Sequence, residues 1–272
     1  EALAYIDKMI SLGDFKNIDP QAPTEEDIRQ IGGLTFIMAR TTHGEIGYSL
    51  PGVVENPPNA AIEILVKFAG AFDLAHQRFL DLQKAEKQAK ETRIELALER
   101  IRSCVTAMQK SSDLFEIVVA MRNEFISLGQ QAHYFWHMKW LEKSYEMSMT
   151  AEDGGRLGMV ITVPKFVHDN IPALAKWEKS KEPTFVLALD AEDAWDYIEN
   201  MNTHGHYQLT DPNAPTKEAI EHIGGLTFII ARTTHGEIGY SLAGVVEQPP
   251  KVALDILKRF AGAFDLAYRR FL

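Results

Sequence analysis

The sequence has one cysteine, Cys104. That excludes an intramolecular disulfide and a cysteine-built zinc site, and it suits a reducing compartment, so a cytoplasmic location is expected. Basic residues are in deficit, 28 Lys and Arg against 38 Asp and Glu, a net charge of −10. Nucleic acid is therefore not the expected partner. No apolar run approaches the ~18 residues of a membrane helix, so no membrane insertion is expected from this stretch. Catalytic signatures are missing as well. There is no G-x-S-x-G elbow and no phosphate loop; Ile-Gly-Gly-Leu at 31–34 and 223–226 leads into a strand pattern and reads as a turn. Among nine histidines, His133 and His137 sit in a strand pattern, ~13 Å apart along it and too far for one ion. His204-Gly205-His206 is a loop pair without a match in the other half of the chain. The expectation is no metal, no cofactor and no enzyme activity.

What is present is a repeat. Shifting the chain by 192 positions aligns residues 1–80 with 193–272 without a gap. Of the 50 positions in 31–80, 39 are identical to their partners in 223–272; over 1–30 the count is 12 of 30. Residues 1–80 match only the last part of the second unit, so the first copy is expected to lack its front. The chain opens Glu-Ala-Leu and stops at the equivalent of Leu80, and the expectation is a fragment of a longer modular protein. Its 272 residues, 46% hydrophobic and 24% charged, correspond to about two folded domains. The expected divisions are 1–80, the back of a first domain; 81–110, a connector helix; and 111–272, a complete second domain.

Along the complete unit, Leu114, Val118, Met121 and Phe125 have helical spacing. Residues 133–140 and 144–150 alternate with a period of two, as strands do. A short strand is expected at 157–163, a short helix or loop at 164–179, a strand at 184–189, and a helix at 191–201 with Asp190 as N-cap. Residues 226–234 and 237–242 form a hairpin about His235-Gly236. The last helix starts at the Pro249-Pro250 pair. This order describes an α+β domain with a roughly six-stranded, mostly antiparallel sheet and helices at both ends.

From residue 59 to 128 there is no proline and Gly70 is the only glycine. A continuous helix over this stretch would be about 105 Å long. Its apolar positions Phe68, Phe72, Ala75, Phe79 and Leu82 are spaced 4-3-4-3, and Ile94, Leu98, Ile101, Val105 and Met108 repeat that spacing in a different phase. Both series fit a parallel coiled coil, and Phe72, Phe79, Leu82 and the second series are the expected dimer residues. The phase break marks a change of winding or of partner. Gly70 and Gly262, inside the FAGAF of each copy, suggest close approach of another helix, or simple retention after duplication.

The run ALERIR…TAMQKS at 97–111 and the ending GEIGYS…FAGAFDLAYRRFL, with a helix–sheet–helix module on either side of the connector, resemble modular bacterial sensory proteins. These string GAF-like small-molecule-sensing domains on signalling helices ahead of an output domain. The resemblance implies a dimeric, non-enzymatic regulatory module, an output domain elsewhere in the full-length protein, and an unidentified small-molecule ligand. Two features depart from family patterns. Photoreceptor GAF domains attach a bilin through a cysteine inside the domain, and neither copy has one. Cyclic-nucleotide-binding GAF domains carry Asn-Lys-Phe-Asp-Glu, of which only Pro164-Lys165-Phe166 is similar.

The candidate ligand residues are Trp136, Tyr145, Phe166, His168, Trp177 and Arg232. For the aromatic residues core packing is the default reading; the alternative is a pocket between the sheet and residues 164–179, where GAF-like domains hold ligands. Arg232 shares a strand face with Phe228 and Ile230, so it must be paired, reach solvent, or clamp an anionic ligand. Glu45 and Glu237 follow His-Gly at the hairpin tips and read as surface turn residues. The expected function is sensory and regulatory, with state passed along a dimeric helix; the alternative is a structural spacer or docking module without a small-molecule ligand.

Overall fold

A computed structural model describes residues 2–13, 24–110, 113–150, 153–155, 160–207 and 213–268. The chain divides into two compact units between Gln88 and Ala89.

Unit 1 contains α1 (Ala2–Leu12), α2 (Glu25–Gln30), β1 (Leu34–Thr41), β2 (Gly44–Pro51) and the first part of α3 (Asn59–Thr106). A reciprocal capping box between Thr24 and Asp27 starts α2. β1 and β2 form a two-stranded antiparallel sheet, with Leu34 opposite Pro51 and Thr41 opposite Gly44. Its core is small: Ile37, Ala39, Leu65 and Ala69, with Ile46, Tyr48 and Leu50 packed on it.

Unit 2 begins within α3 and continues through α4 (Leu114–Ser127), β3 (Phe135–Trp140), β4 (Ser144–Met149), β5 (Ile161–Pro164), α5 (Phe166–Asp169), α6 (Pro172–Glu178), β6 (Thr184–Leu189), α7 (Ala191–Gly205), α8 (Lys217–Ile223), β7 (Leu226–Thr233), β8 (Gly236–Ala243) and α9 (Lys251–Tyr268). The six strands run β5-β4-β3-β8-β7-β6, every neighbouring pair antiparallel. Alternation along the strands sends Phe135, Ile229, Ala231, Ile238 and Tyr240 to one core, with α3, α4 and α9. It sends Trp136, Met138, Tyr145, Met147, Leu187 and Ile230 to a second core, with residues of α5 to α8. Asp190 caps α7 by accepting from the Asp193 amide, as its position predicts. The strand expected at 157–163 is observed at Ile161–Pro164; residues 156–159 lie outside those described.

The uninterrupted helix over 59–128 is not formed. α3 stops at Thr106, where the Asp113 carboxylate accepts the amides of Gln109 and Lys110 and gives the chain another use for those donors. The chain then turns back as an αα-hairpin, held by Arg100–Glu124 at 3.1 Å and by Arg93 donating to the Ser127 carbonyl. The partner of the second apolar series is thus inside the chain. Ile94, Leu98, Ile101, Val105 and Met108 are buried among Met121, Phe125, Phe260 and Phe264, leaving no seam there for a second helix. Phe72, Phe79 and Leu82 are exposed. The close approach suggested for Gly70 and Gly262 is not seen, because a Cβ at either would meet open space.

Both copies of the hairpin are pinned in the same way. Thr35 Oγ1 donates to the Gly52 carbonyl and accepts from the Val54 amide; Thr227 does the same with Gly244 and Val246. Asp73 accepts the Thr42 amide and Asp265 the Thr234 amide, tying each hairpin tip to the following helix.

Candidate functional site

The second core of unit 2 contains two voids that share Trp136, Tyr197 and Phe228. The larger, about 40 Å³, lies among Tyr134, Met147, Met149, Met201 and Tyr207 as well. The smaller, about 10 Å³, is bounded by Met138, His168, Ile230 and Glu237. Trp136 stands edge-on to Phe228, ring centroids 5.9 Å apart, and Tyr197 lies 5.3 Å from the same ring.

Glu237 is the polar centre of this region. The hairpin register places it opposite Arg232, and strand alternation turns it inward with Gly239 and Ser241. The surface-turn reading holds for Glu45, which is exposed, but not for Glu237, which is 1% exposed. Its Oε1 accepts from the Trp136 indole N–H at 3.1 Å. Its Oε2 makes no hydrogen bond, and neither does the Trp140 indole N–H. Burial away from water pushes the carboxyl up to about 7, with the Glu178 charge adding to the rise and the Trp136 and Trp140 indole N–H groups and the Arg232 charge opposing it. His168 is also buried, and desolvation lowers its imidazole to about 4. Its Nε2 lies 3.4 Å from the Tyr197 hydroxyl, whose ionisation burial makes harder still. On the opposite face of the sheet, His137 is buried against Phe264 at 4.6 Å, with Nε2 unpartnered and its imidazole lowered to about 4 by desolvation.

Of the six residues singled out from the sequence, Trp136 and His168 line these voids. Tyr145 is packed behind His168 at 4.2 Å, and its hydroxyl donates to Glu178 Oε2 at 2.6 Å. Glu178 also holds Lys165 at 2.6 Å, and that ammonium sits 4.2 Å over the Tyr145 ring. Trp177 is buried, its indole N–H given to the Glu182 carbonyl. Arg232 donates to the carbonyls of Trp177, Glu178 and Glu182 and stacks over Trp140 and Trp177 at 5.0 and 4.5 Å. The Trp177 and Glu178 carbonyls lie at the end of α6 and the Glu182 carbonyl in the loop after it, so Arg232 is spent on backbone carbonyls rather than on a ligand anion. Phe166 is exposed and touches the His204 ring at the surface. Residues missed by the sequence reading are Glu237, Tyr197 and Phe228. For Glu237 the available signal was its place opposite Arg232, which already lay on an apolar face.

Among the described residues there is no group of three His, Cys, Asp or Glu placed to hold a metal, and no helix long and apolar enough to cross a membrane. Comparison with protein-family models and with curated proteins finds no match to this chain.

Proposed function

We propose that the chain is a non-catalytic regulatory module of a cytoplasmic bacterial signalling protein, in which a GAF-like unit 2 reads a small molecule and passes its state to α3. The GAF-like reading is supported by the order helix, three strands, helices, strand, helices, hairpin, helix about one six-stranded sheet. The ligand reading rests on one observation, an aromatic void beside a buried Glu237 whose Oε2 completes no hydrogen bond, although the Trp140 indole N–H acts on the same carboxyl. A buried acceptor left unpaired costs about 1–3 kcal/mol. A flat ligand presenting an N–H or a cationic nitrogen would recover that cost while stacking among Trp136, Tyr197 and Phe228. Four methionines, Met138, Met147, Met149 and Met201, line the voids and supply side chains that can repack to enlarge them.

β3 and β8 link the site to the helices. Trp136 and Glu237 face the voids, while their neighbours His137 and Ile238 face α9, which packs with α3 in the other core. A ligand shifts α3 only if it binds two arrangements of these strands unequally. The proposed homodimer forms through the exposed Phe79 and Leu82 of α3.

The spacer reading has an observation of its own. The larger void, at about 40 Å³, has room for a few waters rather than for a ligand of ordinary size until the site opens. Thermal unfolding in the presence of benzamidine, a flat cation, separates the two. Sensing requires the wild type to be stabilised and Glu237→Gln not; no shift, or equal shifts, favours the spacer.

A further inference from the structure

The two copies differ less in their residues than in what covers them. Phe260 and Phe264 of unit 2 are 0% and 1% exposed, whereas the matching Phe68 and Phe72 of unit 1 are 62% and 51% exposed. The cover in unit 2 comes from residues 89–192, the stretch that has no repeat. Phe125 lies 6.0 Å from Phe260 and 4.7 Å from Tyr240, and His137 lies 4.6 Å from Phe264. β3 pairs along β8 and β6 along β7. Glu91 and Glu95 each reach Arg259 at 2.7 Å, and Lys67 keeps that positive charge in unit 1. Among the described residues of unit 1, β1 and β2 pair only with each other, so both outer edges are free.

The repeat keeps the covered surface intact. Among described positions 223–268, only two residues buried in unit 2 differ from their partners: Ile230, which is Met38, and Tyr268, which is His76. A Cβ at Gly236 would overlap the Met138 carbonyl of β3, so glycine is needed there for the strand to approach. At the matching Gly44 the nearest atom to such a Cβ is Thr41 Oγ1 at 4.0 Å, yet glycine is present there too.

We infer that unit 1 is an acceptor half-domain and that its occupant is a second copy of the donor segment, residues 89–192. The donor lays two helices on the Phe68–Phe72 face and adds strands to the edges of β1 and β2. A whole second chain does not meet this need. Each chain carries one donor and two acceptors, so exchanging donors between two chains leaves as many acceptors bare as before.

The test extends the chain at its start with a further copy of residues 89–192, the order that unit 2 uses, and follows amide hydrogen exchange. Amides of β1 and β2 are expected to exchange at least ~100-fold more slowly than in the unextended chain. Phe68→Glu, on a side chain that is exposed without the donor, is expected to leave the unextended chain unchanged and to abolish the gain in the extended one. A control extension carrying Ile101→Glu and Phe125→Glu in the added copy is expected to give no protection. The inference is overturned if the plain extension protects no better than this control, or if Phe68→Glu leaves the protection in place.

Discussion

Glu237 and His168, on either side of one small void, respond to pH in opposite directions. Glu237 is raised to about 7, so its neutral form favours folding; that contribution is whole below its ordinary range near 4.5 and is lost as pH rises through about 7. His168 is lowered to about 4, so its contribution is whole above about 6.5 and is lost as pH falls through about 4. Glu237→Gln is therefore expected to gain stability relative to wild type as pH rises from 4.5 to 8, by roughly 3 kcal/mol in all. Urea unfolding across that range checks it, and a difference independent of pH contradicts it. Arg232→Lys keeps the charge but loses the planar fork that meets three carbonyls and two indole faces. A loss of about 2 kcal/mol in thermal unfolding is expected, with a neutral result as the contrary outcome. At this scale the sequence was only partly readable. Trp136 and His168 could be named from aromatic clustering, but Glu237 looked like any hairpin-tip carboxylate. Its burial depends on how α5 to α7 fold over the sheet, and local pattern does not carry that information.

The repeat turns elements into matched experiments. Phe260→Ala removes a ring that is fully buried, and about 3–5 kcal/mol of unit 2 stability is expected to go with it. Phe68→Ala, the same change on an exposed face, is expected to cost less than ~0.5 kcal/mol. Equal costs would mean that unit 1 is covered in solution by something else. α3 shows why spacing alone was insufficient. Both 4-3-4-3 series were plain, since periodicity is a property of the residues themselves. The partner of each series was not, because Ile94 to Met108 meet α4 and α9 only after the chain turns at Asp113.

For the whole molecule, the duplication, the strand order of elements and the final hairpin–helix were legible because they rest on identity, alternation and turn residues. The boundary at Gln88 was not, since the solvated Lys- and Glu-rich stretch around it continues one helix without a break. Association is expected to run through the exposed half of that helix. Phe79→Glu with Leu82→Glu should give a monomer with unit 2 still folded, whereas Ile101→Glu should unfold unit 2; sedimentation and circular dichroism distinguish them. The claim that unit 2 reads a small molecule is tested most directly by native mass spectrometry of freshly purified wild type beside Glu237→Gln. The expected spectrum shows a non-covalent adduct on the wild type that the variant lacks. Bare chains of matching stoichiometry in both would contradict ligand sensing and leave the spacer as the better reading.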